Sequence, residues 1–237
     1  MFKGIDVSSV QGNVDYNWLA AQGITFVIVK CYTGNDGKDP FYEKNIKAAQ
    51  DAGLKVGLYH FVYPLPASPA HPNRDPIGQA NLHFQASGDL GSTIPVHCID
   101  LEFPGSPDWA KWGCSADQIK QWTVDYVNEY ERLSGKEMVF YSYYYFATPL
   151  KFDQEFAKRK LWIASYQANP QIPAPWTDYT IWQAGGGNTG MQMKTKEGVI
   201  VDVNLMRDLS LWEEQGAKDI SAIVSSVAVS KTDLNKI

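Results

Sequence analysis

Short runs of β-branched and aromatic residues recur along the chain, and most are separated by stretches with the spacing of an amphipathic helix. Runs of this kind, bounded by turn residues, predict buried strands. Eight strands are predicted, near Gly4–Val7, Phe26–Tyr32, Val56–Phe61, Val96–Glu102, Met138–Tyr143, Leu161–Tyr166, Tyr179–Gln183 and Ile200–Asn204. Five helices are predicted between the first six strands, over Tyr16–Gln22, Pro40–Ala52, Pro76–Ser87, Ala116–Ser134 and Tyr144–Lys160.

The predicted helices have clear end signals. Glycine closely follows four of them, at Gly23, Gly53, Gly88 and Gly135, as helix C-termini often require. Ser115 is the expected N-cap of the longest helix. The last three strands leave no room for helices between them, because the intervening segments are rich in proline and glycine.

The alternation of strands and helices favours a parallel sheet and an α/β fold. Five β/α units followed by three strands fit an irregular β/α barrel of the TIM-barrel type. An open doubly wound sheet is the alternative, but no Gly-x-Gly-x-x-Gly motif follows the first strand. We expect residues 1–210 to form the barrel and residues 211–237 a tail that is helical in part, since Ile220–Val229 is weakly amphipathic.

Length and charge narrow the possible functions. The chain has 237 residues, a length common for one β/α barrel, and a formal net charge of −5 without a basic block. It therefore lacks the electrostatic footprint of nucleic-acid binding. No apolar stretch is long enough for a membrane span, and the first residues do not have the pattern of a signal peptide. We expect a chain that is made in the cytoplasm.

Cysteine and histidine are sparse. The chain has three cysteines, Cys31, Cys98 and Cys114. A small and odd number of cysteines argues against a disulfide framework. The four histidines do not have the spacing of a metal-binding motif. We expect neither a metal nor another cofactor.

Four acidic residues are placed where a β/α barrel keeps its active site, at the ends of strands. Asp6 lies near the end of the first predicted strand, Asp100 and Glu102 end the fourth, and Asp202 lies in the eighth. The first and eighth strands are neighbours in a closed barrel. Closure therefore brings Asp6 beside Asp202, with the other pair facing them across the mouth.

Asp100 and Glu102 share one face of their strand, because side chains alternate with a period of two. Two carboxylates this close resist ionising together, so one pKa rises and an acid remains available at neutral pH. Glycosidic cleavage needs such an acid for the leaving oxygen and a carboxylate that stabilises positive charge at the anomeric carbon. The acids alone also allow two other interpretations, namely hydrogen bonds to nearby backbone N–H groups or a site for Mg²⁺ or Ca²⁺.

A set of motifs occurs in a characteristic order. The set comprises Gly4-Ile5-Asp6-Val7-Ser8 with Gln11-Gly12 and Asp15, Phe26-Val27-Ile28-Val29-Lys30, Ala52-Gly53-Leu54 with Gly57-Leu58-Tyr59-His60-Phe61, Asp100-x-Glu102, Trp162-x-Ala164-x-Tyr166, Trp182-Gln183 and Val201-Asp202-Val203-Asn204. In this order the motifs resemble glycoside hydrolase family 25, the lysozymes of the Chalaropsis type. The resemblance runs from about Gly4 to Met206.

The resemblance implies a barrel of five β/α units and three strands. It also implies hydrolysis, with retention, of the β-1,4 bond from N-acetylmuramic acid to N-acetylglucosamine in the glycan strands of bacterial peptidoglycan. Glu102 would be the acid/base. Asp100 would orient or stabilise an N-acetyl group or a glycosyl intermediate, so the resemblance leaves the identity of the nucleophile undecided. Asp6 and Asp202 would position the substrate and tune this pair. The residues expected to bind substrate are Lys30, Phe61, Tyr63, Tyr141, Trp162, Tyr166 and Trp182.

The chain departs from the family after Lys30, where Cys31-Tyr32-Thr33-Gly34 replaces a sequence such as Ala-Thr-Glu-Gly and an acidic rim residue is lost. Two other functions compete with an active muramidase. One is a catalytically inactive module that binds cell-wall glycan. The other is a metal-dependent polysaccharide deacetylase, which would need clustered histidine ligands that the chain lacks. The expected biological setting is a phage lysin that acts on the wall after its release.

Overall fold

Eight strands close into a barrel whose order follows the chain. The computed structural model describes residues 1–34, 36–64, 74–102 and 113–213. Within these residues the barrel consists of β1 (Phe2–Val7), β2 (Ile24–Thr33), β4 (Lys55–Phe61), β5 (Val96–Asp100), β6 (Met138–Tyr143), β7 (Leu161–Ala164), β8 (Ile181–Gly186) and β11 (Ile200–Met206), which pairs back with β1. Three short strands pair with β2, β8 and β11, namely β3 (Gly37–Lys38), β9 (Thr189–Gly190) and β10 (Met193–Lys194). The prediction of an irregular α/β barrel is confirmed.

The helices lie on the connections between the first strands. They are α1 (Tyr16–Ala21), α2 (Tyr42–Asp51), α3 (Pro76–Ser92), α4 (Ala116–Ser134) and the single turn α5 (Tyr144–Ala147). Ser115 and Gln118 form a capping box at the start of α4, and Gly135 follows its end in the left-handed conformation at φ 69°. Both end signals of this helix are therefore confirmed. Helix α3 is longer than predicted, because it resumes after a non-helical Gly88 and ends at Ser92.

The fifth predicted helix, Tyr144–Lys160, is wrong as a continuous element. The structure replaces it with α5 and two 3₁₀ turns, Thr148–Leu150 and Phe156–Lys158. Pro149 lies within the first of these turns, and proline has no N–H to donate to a helix and clashes with the preceding turn. Lys151 then adopts a left-handed conformation at φ 47°, which ends any helical path.

The last barrel strand runs against its neighbours. Strands β1, β2, β4, β5, β6, β7 and β8 pair in parallel, whereas β11 is antiparallel to both β8 and β1. The expectation of a parallel sheet is therefore wrong for β11. The reason is its connection, because β8 reaches β11 through β9 and β10 without the crossover helix that a parallel neighbour requires.

The interior of the barrel is filled by side chains that alternate with those of the outer layer. Phe26 and Ile28 of β2 belong to the interior cluster, whereas Val27 and Val29 pack towards the helices. Trp212 joins the interior cluster from beyond β11, with its ring 5.3 Å from that of Phe26. Its Nε1 donates to the Val56 carbonyl, 2.9 Å away, near the start of β4. The chain after β11 thus packs at the barrel end opposite to the ends of the parallel strands.

A buried polar layer lies between the barrel wall and the helices α3 and α4. His60 and His83 both place Nδ1 against the Tyr126 hydroxyl, at 2.7 and 2.6 Å, and Nδ1 of His97 contacts the Tyr130 hydroxyl. Burial lowers the pKa of His60 to about 3 and that of His83 well below its usual value. The rings of His60 and His83 are therefore neutral in the folded protein.

Two predictions concern the C-terminal part of the chain. Residues 214–237, which include the amphipathic stretch Ile220–Val229, lie outside the described residues. The boundary between residues 210 and 211 stays a prediction. Within the described ranges, none of the helices has the length and apolar character that crossing a bilayer requires.

Candidate active site

The four acidic residues identified in the sequence lie together at one end of the barrel. Asp6 near the end of β1 is the register partner of Asp202 in β11, which confirms that closure brings these two side by side. Asp100 is the last residue of β5, and Glu102 follows two residues later. Because β11 is antiparallel, Asp202 reaches this end from near the start of its strand. The prediction that Asp202 lies at the end of its strand is therefore wrong.

Asp6 is held by two side-chain amides. Its Oδ2 accepts hydrogen bonds from Gln183 Nε2 at 2.9 Å and from Asn204 Nδ2 at 2.7 Å. Burial and the nearby charge of Asp202 nevertheless raise the pKa of Asp6 to about 8, because they outweigh the two hydrogen bonds. Asp6 is therefore a fixed acceptor deep in the mouth, and it titrates together with its neighbours.

Asp100 is buried, and its Oδ1 has no hydrogen-bond partner among the described residues. Burial, followed by repulsion from Glu102 and Asp6, raises the pKa of Asp100 well above its usual range. Lys30 acts in the opposite direction and lowers it. A buried carboxyl oxygen without a partner costs free energy, so Asp100 is available to accept a hydrogen bond from a bound molecule.

Glu102 carries the pKa that suits an acid catalyst. Burial, followed by repulsion from Asp202, raises the pKa of Glu102 to about 7. Burial also raises the pKa of Asp202, whose Oδ1 accepts a hydrogen bond from the Gly187 N–H at 3.2 Å. A carboxyl group with a pKa near neutrality can both release and recover a proton under ordinary conditions.

Two amide residues complete the site, and neither was predicted as a site residue. Gln183 on β8 and Asn204 on β11 are both buried and both bind Asp6. A signal was present for each. Gln183 is a polar residue among buried positions of a strand, and Asn204 lies two residues after Asp202 and therefore on the same face of β11.

Three residues expected to bind substrate lie on β2, on β4 or just after it. Lys30 Nζ is 3.9 Å from Asp39 Oδ2, and its charge reaches Asp100. The rings of Phe61 and Tyr63 meet edge to face, with centroids 5.7 Å apart. The Tyr63 ring packs so closely on Gly34 that a Cβ there would lie 2.1 Å from it. The structure thus places a cation and two aromatic rings on the β2–β4 side of the barrel.

The remaining candidates differ in their distance from the carboxylates. The hydroxyls of Tyr141 and Tyr166 both donate to Gln183 Oε1, at 3.0 and 2.9 Å. Trp162 is 1% exposed and lies inside the barrel against Tyr141, so it supports the site from below. Trp182 packs with the outer layer, and its Nε1 donates to the Ser165 carbonyl at 2.6 Å. The structure does not bring Trp182 into the acid cluster.

A cavity of about 260 Å³ opens beside Glu102. Five tyrosines line it: Tyr141, Tyr143, Tyr144, Tyr145 and Tyr166. The run Tyr143–Tyr145 was not predicted as part of the site, although three consecutive aromatic residues at the end of a strand were a visible signal. A larger cavity of about 460 Å³ lies near Phe84 and Lys136 and contains none of the four carboxylates, so we assign the chemistry to the smaller one.

No group of three or more His, Cys, Asp or Glu within the described ranges has an arrangement that could hold a metal ion. The expectation of an enzyme without a cofactor stays a prediction. The arrangement offers a protonated carboxyl group, a buried acceptor and an aromatic cavity, which together suit acid-assisted cleavage of a bond in a sugar.

Comparison with known proteins agrees with this chemistry. The family model described as Glycosyl hydrolases family 25 matches residues 5–186. Lysozyme M1 of Streptomyces globisporus is 28% identical over 191 residues, which cover 76% of this chain and 60% of lysozyme M1. An N,O-diacetylmuramidase of Chalaropsis sp. is 28% identical over 193 residues, which cover 76% of this chain and 86% of that protein. The chain thus spans 60% of the length of the first relative.

A solved structure has the same architecture. The muramidase from Trichobolus zukalii superposes with a TM-score of 0.72 at 26% sequence identity, covering 90% of this chain and 100% of that one. The family match includes three of the four acids, Asp6, Asp100 and Glu102, and the structural match extends over most of the barrel.

Proposed function

Because the chain belongs to the glycosyl hydrolases of family 25, we propose that it is a peptidoglycan hydrolase of the N-acetylmuramidase type. The proposed reaction is hydrolysis of the β-1,4 bond between N-acetylmuramic acid and N-acetylglucosamine, with retention of configuration. The substrate would be the glycan strands of bacterial peptidoglycan. The action of the protein as a phage lysin after release stays a prediction from the sequence.

One observation carries the proposal: Glu102, with a pKa of about 7, lies beside an aromatic cavity and close to three other carboxyl groups. A protonated Glu102 can give its proton to the glycosidic oxygen as the bond to the anomeric carbon breaks. A neighbouring carboxyl group that has lost its proton favours the positive charge that develops on the sugar. Lysozyme and muramidase relatives support this assignment.

We propose that Asp100 orients the N-acetyl group of the sugar at the cleavage point. Its buried Oδ1 lacks a partner among the described residues, and an amide N–H of the substrate would satisfy it. Once held in this way, the acetyl oxygen can approach the anomeric carbon as the leaving oxygen departs. Direct attack by an Asp carboxylate is the alternative, and a covalent sugar ester trapped on the enzyme would favour it.

The two sides of the mouth suit different parts of the substrate. The tyrosine cavity beside Glu102 is uncharged apart from the acid itself, and its rings can pack against the flat face of a neutral sugar. Lys30 supplies positive charge on the opposite side of the mouth, where an acidic lactyl group would be stabilised. Phe61 and Tyr63 extend that side with aromatic surface.

The test is the identity of the sugar at the new reducing end after purified peptidoglycan is digested with the full chain. Borohydride reduction and mass spectrometry should find reduced N-acetylmuramic acid. Reduced N-acetylglucosamine would contradict the muramidase assignment. Unchanged wall turbidity with a folded protein would instead support the inactive binding module.

A further inference from the structure

The hydrogen bonds beneath the acid cluster have a fixed direction. The Trp162 indole N–H can only donate, and it donates to Asn204 Oδ1 at 2.7 Å. This contact fixes the orientation of the Asn204 amide, because its oxygen must face the indole. Nδ2 of Asn204 therefore faces Asp6 and donates to Oδ2 at 2.7 Å.

The same reasoning fixes Gln183. Its Nε2 donates to Asp6 Oδ2 at 2.9 Å, the same oxygen that accepts from Asn204. Oε1 then faces outward, where two hydroxyls approach it, those of Tyr141 at 3.0 Å and Tyr166 at 2.9 Å. An amide oxygen has two lone pairs and can accept from both.

Tyr141 has a single hydroxyl proton, which it donates to the nearer of two acceptors. That acceptor is Gln183 Oε1 at 3.0 Å, whereas Glu102 Oε2 lies 3.5 Å from the same hydroxyl oxygen. With its proton engaged, Tyr141 presents only lone pairs to Glu102. A Tyr141 hydroxyl that donated to Glu102 would lower the pKa of Glu102; with that proton held by Gln183, a hydrogen bond between the two requires that Glu102 is the donor and carries a proton.

We propose that Gln183 is a positioning residue that turns the Tyr141 hydroxyl into an acceptor and so keeps Glu102 in its protonated, acid form. The proposal rests on the proposed function, because it concerns the acid of that reaction. Gln183 itself touches neither Glu102 nor the cavity beside it in the described contacts. It acts through Tyr141.

The long contact suits an acid that must release its proton. At 3.5 Å the interaction with Tyr141 is weak, so a glycosidic oxygen can replace it. The proton moves from Glu102 to that oxygen, the bond to the anomeric carbon breaks, and its electron pair stays on the leaving oxygen. Glu102 is left as a carboxylate facing a lone pair, which favours recovery of a proton from the attacking water.

Other groups also act on the ionisation of Glu102. The acidic ones among them are Asp6 on β1, Asp100 on β5 and Asp202 on β11, with Lys30 on β2 acting through Asp100, while Tyr141 and Tyr143 on β6 and Tyr166 after β7 are uncharged hydroxyls at neutral pH. Each of them remains in place in a Tyr141→Phe variant, apart from the one hydroxyl. That variant therefore isolates the contact.

The test is the pKa of Glu102 in the free, full-length protein, measured by NMR with ¹³C-labelled glutamate and assigned with Glu102→Gln. In Tyr141→Phe the acid form loses its acceptor, and the pKa of Glu102 falls by about 0.5 to 1. In Gln183→Leu the pKa also falls, because the freed Tyr141 proton can bind the carboxylate. Tyr166→Phe is the matched control, since it removes the other hydroxyl on Gln183 Oε1 and leaves the pKa of Glu102 unchanged.

A double variant shows whether Gln183 acts through Tyr141. In the Tyr141→Phe background, Gln183→Leu should have no further effect on the pKa of Glu102. An equal fall in both backgrounds would overturn the proposal, because Gln183 would then act through Asp6. A rise of the pKa in Tyr141→Phe would also overturn it, because Tyr141 would then be the donor.

Loss of folding and loss of enzymatic activity can both be distinguished from a failure of the proposed role of Gln183. Phe at position 141 keeps the ring that packs on Trp162, 4.5 Å away, so we expect this variant to fold. If Gln183→Leu does not fold, the direction of the change in Tyr141→Phe alone decides. The titration uses no substrate, so its outcome stands whether or not peptidoglycan is hydrolysed.

Discussion

Asp6 and Asp202 face each other as register partners across the antiparallel pairing of β1 and β11. The fold therefore holds two acids side by side, and burial raises the pKa of both. The amides of Gln183 and Asn204 support only one of them. An arrangement that costs stability in this way is typical of a site kept for its chemistry.

Replacement of Asp100 should stabilise the fold while it removes activity. The pKa of Asp100 is raised in the folded state, so above about pH 4 the folded protein holds a proton that the unfolded chain releases. Stability is therefore lost as pH rises, and Asp100→Asn removes this loss. We expect a gain of about 1–3 kcal/mol in the free energy of unfolding at pH 7.5 and little gain at pH 4.

Urea unfolding at the two pH values checks this prediction, with the exposed Asp51→Asn as control. A lower stability of Asp100→Asn at pH 7.5 would show that the carboxylate is well solvated or paired. The same variant should lose most of its peptidoglycan turnover, since the amide can still accept a hydrogen bond but cannot become the negative charge that would stabilise the N-acetyl group during the reaction.

Two buried histidines, His60 and His83, should make the protein sensitive to acid. Their pKa values are lowered in the folded state, so below about pH 6.5 the unfolded chain binds protons that the folded protein does not. Stability is complete above that pH and falls as pH decreases below it. His83→Phe keeps a ring on Tyr130, 4.5 Å away, and should reduce the slope of unfolding free energy between pH 6 and pH 4.5. An unchanged slope would mean that His83 does not contribute.

Trp212 should contribute strongly to stability and little to chemistry. It is buried at the barrel end opposite to the acids, where its Nε1 binds the Val56 carbonyl. Trp212→Ala should lower the free energy of unfolding by about 3–5 kcal/mol. Wall turbidity measured well below the melting temperature should match that of the unaltered chain. A melting temperature equal to that of the unaltered chain would contradict the packing role.

Tyr145 should affect substrate binding more than the chemical step. It lines the cavity beside Glu102 and is 64% exposed, so its ring is free to contact a sugar. Tyr145→Ala should raise KM by roughly tenfold and leave kcat nearly unchanged. Phe84→Ala, which removes an exposed ring on α3, is the matched control. A fall in kcat alone would mean that Tyr145 acts on the reaction and not on binding.

The strands and the acid cluster could be predicted because each has a strong local signal. Buried strands such as Phe26–Tyr32 are runs of apolar residues, and Asp100 and Glu102 are charges within or just after such a run. Gln183 and Asn204 carry no charge, so their importance depends on the partner that the fold brings to them, Asp6.

The direction of β11 and the break after α5 could not be predicted in the same way. The apolar pattern of a strand is the same whichever direction the strand runs. The direction of β11 relative to β8 is decided by the short connection between them. In the predicted fifth helix, aromatic and alanine residues on both sides of Pro149 have a spacing that suggests a helix. The structure breaks the helix there, because Pro149 lacks an N–H and Lys151 adopts the left-handed conformation.

The most direct test of the central claim is the turnover of peptidoglycan by Glu102→Gln. The amide keeps the shape of Glu102 but cannot give a proton to the leaving oxygen, so kcat should fall by about 10²–10⁴-fold. Glu155→Gln, at an exposed site that is paired with Lys158, should retain full activity, and neither variant should melt below the unaltered chain. Turnover of Glu102→Gln near that of the unaltered chain would contradict the assignment of Glu102 as the acid.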